Sequence, residues 1–431
     1  MKSPVRTWRT VAVVAATGLA LAACGGSDDN ATDGTTAAPS ASADAGQQVE
    51  ADGALKLGTL LPQTGSLASL GPPEIAGVAL AVQEINEAGG VLGQDVTVID
   101  ADSGDTSTNI ASQSVDRLLS ENVDVIIGAA SSGVSKTVID KITGAGVVQF
   151  SPANTSPDFT DYPDRGLYWR TAPSDVLQGR ILGDLVIEDG NATVGILALQ
   201  DAYGTGLADN VERAVTGSNG EVVEKVIYDP KAAEYSAEVG QVAAADPDAI
   251  VLIGFEESGK IVQELVKQGI GPQQGKKLYL VDGNVGQASL EELPAGTLEG
   301  VQGTVPGAET ASDFRDRLLA IDPSLTVFSY AAESYDAAIL SALAAIAAES
   351  DAGTDIAANL EDVSKGGTKC TAFAECKELL EAGEDIDYDG VSGPVEFDEN
   401  GDPTEASVGI YTYDAQNKVP AVAQVYKSGT L

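Results

Sequence analysis

The sequence contains no histidine in its 431 residues, and only three cysteines, one methionine and two tryptophans. Without imidazole, Ser-His-Asp and Cys-His catalysis are excluded, together with every histidine-ligated metal site. The cysteines, Cys24, Cys370 and Cys376, are too few for a four-cysteine zinc site. Positive charge is also scarce: 24 Lys and Arg stand against 65 Asp and Glu, a formal net charge of −41. A folded surface of that sign repels nucleic acid and anionic lipid, and reads as the solvated coat of an exported protein. No Gly-x-Gly-x-x-Gly joins a strand to a helix with an acidic residue about 20 positions on. Neither a cofactor nor a metal is expected, and an enzyme on this chain would lack most of the usual acid-base chemistry.

No apolar run near the N-terminus is long enough to cross a bilayer as a stable helix. What stands there is a basic start with Lys2, Arg6 and Arg9, an apolar stretch from Val11 to Leu21, and Leu21-Ala-Ala-Cys24. These parts form an export signal over residues 1–23. The ending resembles the lipobox of bacterial lipoproteins, which implies that the Cys24 thiol carries a diacylglyceryl group. The protein is then expected on the outer face of the cytoplasmic membrane, held by acyl chains that contribute roughly 0.8 kcal/mol per buried methylene. Residues 24–54 are Ala, Gly, Ser, Thr and Asp with almost no large apolar side chain, the composition of a disordered tether.

From Leu55 the chain alternates strand and helix patterns. A strand over Leu55 to Leu61 precedes a helix over Pro72 to Ala88, with Ile75, Val78, Ala79, Val82 and Ile85 on one face and Gly89-Gly90 as its stop. Further βα units follow to Phe150, and a second series runs from Val176 to Val281. The pattern predicts an α/β fold of two lobes, each a parallel sheet flanked by helices, with the ligand cleft between them. Lobe 1 is assigned residues 55–172 plus 304–390, and lobe 2 residues 173–303 plus 391–431. The stretch Val301 to Pro306 reads as a connection. Val391 to Phe397 and Val408 to Tyr413 read as strands joined by a turn at Asp398-Glu-Asn-Gly401. In an exported chain Cys370 and Cys376 are expected to form a local disulfide rather than remain thiols.

The stretch Val123-Asp-Val-Ile-Ile-Gly-Ala-Ala-Ser-Ser-Gly-Val-Ser135 is a buried strand running into a helix start. Ser131, Ser132 and Gly133 would offer hydroxyls and free backbone N–H groups to a carboxylate or phosphate, although serine is also a common N-cap with no ligand.

Five motifs in order resemble the leucine/isoleucine/valine-binding proteins, type I solute-binding proteins of ABC importers. They are Gln83-Glu-Ile-Asn-Glu-Ala-Gly-Gly90, Ile126-Ile-Gly-Ala-Ala-Ser-Ser132, Ser151-Pro-Ala-Asn-Thr-Ser-Pro157, Ala202-Tyr-Gly-Thr-Gly206 and Gly393-Pro-Val-Glu-Phe397. The resemblance covers about Leu55 to Tyr426. It implies a type I periplasmic-binding-protein fold and a monomeric, non-enzymatic receptor that closes on a small ligand of amino-acid type and delivers it to permease subunits. It further implies that Ser131, Ser132, Ala153, Asn154 and Thr155 hold the α-carboxylate and α-ammonium, with Tyr203 and Phe255 covering from the second lobe and Tyr330 on the hinge side. An enclosed ammonium needs an acidic partner. Here the chain departs from the branched-chain binders: Gly283 stands where they carry a glutamate, and Asp282 precedes it. Asp282 is the expected partner, with Glu256 and Glu257 as alternatives. Leu70 also stands near a position that is aromatic in those binders. Amides, urea-type solutes and a sensor role stay open as other readings.

Overall fold

The computed structural model describes residues 51–431. The export signal, Cys24 and most of the tether lie outside the described residues.

The first lobe is built from β1 (Lys56–Leu61), α1 (Gly71–Glu87), β2 (Thr97–Asp102), α2 (Ile110–Ser120), β3 (Val125–Gly128), α3 (Ser132–Gly144), β4 (Val148–Ser151) and β5 (Tyr168–Arg170). Its five parallel strands run in the order β2-β1-β3-β4-β5. Because side chains alternate along a strand, Leu57, Val125, Ile127 and Phe150 point to one face while Leu60 and Ile126 point to the other. Both faces are covered, which is why these strands read as unbroken apolar runs rather than as alternating ones.

The second lobe takes α4 (Asp175–Glu188), β6 (Thr193–Leu199), α5 (Ala202–Gly217), β7 (Glu221–Tyr228), α6 (Ser236–Ala245), β8 (Ala249–Ile253), α7 (Ser258–Lys267), β9 (Lys277–Val281), α8 (Ala288–Glu291) and β10 (Gln302–Pro306). The chain then returns as α9 (Ser312–Ile321), α10 (Ala331–Ala348), α11 (Gly353–Val363), β11 (Thr368–Cys370), α12 (Phe373–Glu381) and β12 (Ile386–Tyr388), before β13 (Glu405–Thr412) and β14 (Val425–Thr430). Helix α10 buries its Ala and Leu side chains against α1 and the first sheet. Cys370 and Cys376 are joined by a disulfide, with their Cα atoms 5.4 Å apart.

The structure corrects the sequence reading in three places. Gln302–Pro306, expected within a connection, is a strand of the second sheet, parallel to β9 and antiparallel to β13. The second sheet therefore has seven strands, ordered β14-β13-β10-β9-β8-β6-β7, and its lobe extends past residue 303 to Pro306. Residues 391–397, assigned to lobe 2 as a strand, form no named strand and pack in the first lobe. There Phe397 meets Phe150 and Trp169 edge-on, with centroids 5.9 and 5.3 Å away. Their alternation reflects burial of Val395 and Phe397 rather than sheet pairing. The antiparallel pair lies further on, between β13 and β14. The strand Tyr168–Arg170 was not foreseen, being only three residues long.

Among the described residues, three crossovers join the lobes: 171–174, 307–311 and 398–404. The first and third are tied by Arg170, fully buried, whose guanidinium grips Asp402 through Nε and Nη2 at 2.6 Å each. The remaining nitrogen of Arg170 donates to the carbonyls of Asn154 and Ser156, so the same side chain anchors the Ser151-to-Ser156 loop.

Candidate functional site

Gly128 ends β3 at φ 129°, and a Cβ there would fall 2.1 Å from the carbonyl oxygen of Leu60. Only glycine fits that turn. It delivers Ala130 and Ser131 to the head of α3, where the Ser131 hydroxyl accepts from the amide of Val134 as an N-cap. Beside it, the Ser151–Ser156 loop is fastened by Ser151, whose Oγ donates to Ala129, and by Asn154, whose amide donates to the carbonyls of Ala129 and Ala130.

Leu67, Leu70, Ala130, Ser131, Ser132 and Ala153 from the first lobe face Tyr203, Phe255, Asp282 and Gly283 from the second across a cavity that Tyr330 also lines. Tyr203 and Phe255 stack with centroids 5.5 Å apart and planes at 7°. Asp282 is the charged group in the wall. Its Oδ1 accepts from the Tyr203 hydroxyl at 2.7 Å and from Gln178 at 2.9 Å, and its Oδ2 from the Tyr330 hydroxyl at 2.7 Å. Tyr330 itself sits at φ 61°, a left-handed conformation unusual for an aromatic residue and of a kind that clusters at ligand clamps.

Asp175, at the start of α4, is the second acid of this region. It is buried, accepts from the Thr155 hydroxyl at 2.9 Å through Oδ2, and has no partner for Oδ1. Burial pushes both carboxyls up, and the Asp282 charge pushes Asp175 well above the usual range. The donors converging on Asp282 oppose its rise, so of the two Asp175 is the one held further above the usual range.

Seven of the ten residues expected at the site line the cavity: Ser131, Ser132, Ala153, Tyr203, Phe255, Asp282 and Tyr330. Three do not. Asn154 is turned away to brace the Gly128 turn and receive the Tyr168 hydroxyl. Thr155 spends its hydroxyl on Asp175. Glu256 faces a separate surface cleft with Lys260 and Gln263. The alternative acid Glu257 is committed to the Tyr228 hydroxyl and the amide of Phe255. Sequence reasoning missed Asp175, Gln178 and Arg170, whose importance comes from long-range contacts; an arginine closing the strand Tyr168–Arg170 was the one local hint.

The lobes are closed on one another. Ser69 donates to Gln287 at 3.1 Å, Ser156 to the carbonyl of Ala202 at 2.9 Å and Lys231 to the carbonyl of Thr106 at 3.2 Å, all from one lobe to the other. The cavity between them gives the centre of a water-sized sphere only about 20 Å³.

Residues 54–418 match the family model described as periplasmic binding protein. The chain belongs to that family. Periplasmic binding proteins of this kind are exported solute-binding receptors, and the leucine/isoleucine/valine-binding resemblance is carried by full-length relatives. The chain is 28% identical over 374 residues to a Leu/Ile/Val-binding protein of Rhizobium johnstonii, covering 85% of this chain and 94% of that one. It is 27% identical over 353 residues to a substrate-binding protein of a chemotactic signal transduction system in Halobacterium salinarum, covering 79% and 83%. Among solved structures, the branched-chain amino acid transporter substrate-binding protein LivJ of Streptococcus pneumoniae, in complex with isoleucine, superposes with a TM-score of 0.70. It is 24% identical and covers 88% of this chain and 100% of that one, which establishes the two-lobed fold.

Proposed function

We propose that this binding protein captures a small α-amino acid outside the cell, is lipid-anchored there through Cys24, and passes its ligand as a monomer to the permease of an ABC importer without transforming it. The observation that carries this reading is the polarity of the cleft. One wall offers the head of α3 with Ser131 and Ser132, suited to a carboxylate, and the facing wall offers the buried charge of Asp282, suited to an ammonium. Ala153 also lines the cleft. Tyr203 and Phe255 supply the apolar cover, and Leu70, in place of an aromatic, makes the mouth aliphatic.

The test is a thermal-shift panel of the twenty amino acids, short amides, urea and benzoate. An amino acid at 100 times its dissociation constant should add about 2.7 kcal/mol of stability. Asp282→Asn should weaken an ammonium-bearing ligand by at least about tenfold, a factor equal to 1.4 kcal/mol. A panel in which no amino acid raises the melting temperature of ligand-free protein refutes the reading. So does an unaltered affinity in Asp282→Asn.

The chemotactic relative favours a second destination for the same ligand, a signalling partner in place of the permease. Pull-down of membrane partners by the ligand-loaded protein separates the two. Mass spectrometry of the membrane fraction tests the anchor: an unmodified Cys24, or a mature chain beginning elsewhere, rules it out.

A further inference from the structure

Tyr330 is a wall of two cavities. The second, of about 310 Å³, is far larger than the space in the cleft, and it too is lined from both lobes. Val305, at the end of β10, Tyr411 of β13 and Tyr426 of β14 form one side. Phe328 and Tyr330, just before α10, and Glu333 in its first turn form the other. At the mouth Lys418 pairs with Glu291 at 3.4 Å, which neutralises both. The acid left inside, with no ion-pair partner among the described residues, is Glu333. It is 4% exposed, and its Oε1 lies 2.7 Å from where a Cβ on Gly307 would fall. A deep acid among four aromatic residues, which gives up its proton when a cation arrives to pair with it, is the complement of an organic cation, combining ion pairing at one end with apolar and cation–π contact along the body.

We propose that this cavity is a second ligand site, which takes a small protonated amine with an aromatic or branched apolar body. The ammonium pairs with Glu333, and the body lies among Phe328, Tyr330, Tyr411 and Tyr426. Apart from Tyr330, the site shares no residue with the cleft. Because the Tyr330 hydroxyl holds Asp282 and the cavity spans the hinge, an occupant alters the affinity of the cleft. By linkage, a cleft ligand alters the affinity for the amine by the same factor.

Isothermal titration of the full chain with phenethylammonium, against the neutral 2-phenylethanol, tests the site. Wild type should bind the amine at least about tenfold more tightly than the alcohol, and Glu333→Gln should remove that preference. Ala421→Trp, at an exposed position in the cavity wall, should block binding without disturbing the core. Asp282→Asn should leave the amine affinity within about threefold, under 1 kcal/mol. Absence of binding at millimolar amine, or equal affinity in Glu333→Gln, overturns the proposal. It also fails if Asp282→Asn abolishes binding while Ala421→Trp does not, since the amine then occupies the cleft.

Discussion

Glu74 and Glu333 are buried acids brought together by α1 and the start of α10. Both carboxyl oxygens of Glu74 lack a partner. Burial holds Glu74 well above the usual carboxylate range, with the charge of Glu333 adding to the effect, and burial pushes Glu333 up to about 8, with Asp336 adding. Such a group keeps a proton in the folded chain that the unfolded chain has released, so its stabilising effect is complete below an unfolded value near 4.5 and declines until pH passes the folded value. Asp124, raised by burial to about 7, acts in the same direction from 3.8 upward. The melting temperature should therefore be lower at pH 8 than near pH 5.5, and Glu333→Gln should flatten the upper part of that profile. Arg170 presents the opposite case, a buried charge that must stay paired. Arg170→Met leaves Asp402 uncompensated and should cost about 3–5 kcal/mol in chemical denaturation. It should also loosen the Ser151-to-Ser156 loop and weaken ligand binding.

Among the elements, the β3–α3 junction depends on one residue. Gly128→Ala would place a methyl against Leu60 at a φ that alanine avoids, so a cost above about 1 kcal/mol is expected. Circular dichroism melting of the variant checks this. Most elements were legible in the sequence because strands covered on both faces are plain apolar runs and the helices are punctuated by Gly or Pro. Helix α10 shows where composition misleads. Its 18 residues are apolar enough to cross a membrane, yet they fill the core of the first lobe. The short β5 and the strand β10 were hidden for a related reason: their identity comes from neighbours distant in sequence. Val391 to Phe397 alternates like a strand and instead seats an aromatic in the first core. At the site, Asp282 was singled out because the resemblance implies an ammonium that needs an acid, and the structure places its side chain in the cleft wall. Asn154 and Thr155 could not be separated from true lining residues, since loop polarity does not say whether a side chain faces a ligand or its own backbone.

For the whole molecule, two sheets joined by three crossovers can part only by bending those crossovers together, and the Arg170–Asp402 pair ties two of them. Small-angle scattering should record a smaller radius of gyration with cleft ligand than without it; no change on saturation would contradict closure by hinge motion. The bonds from Ser69, Ser156 and Lys231 hold the lobes together at separate points around the cleft. The shut form is therefore a latch. Release waits for the lobes to swing apart, a motion of microseconds to milliseconds or slower, so unloading speed is a property of the hinge more than of the cargo. A docking partner that pries the lobes open can empty this protein without offering the ligand a better grip.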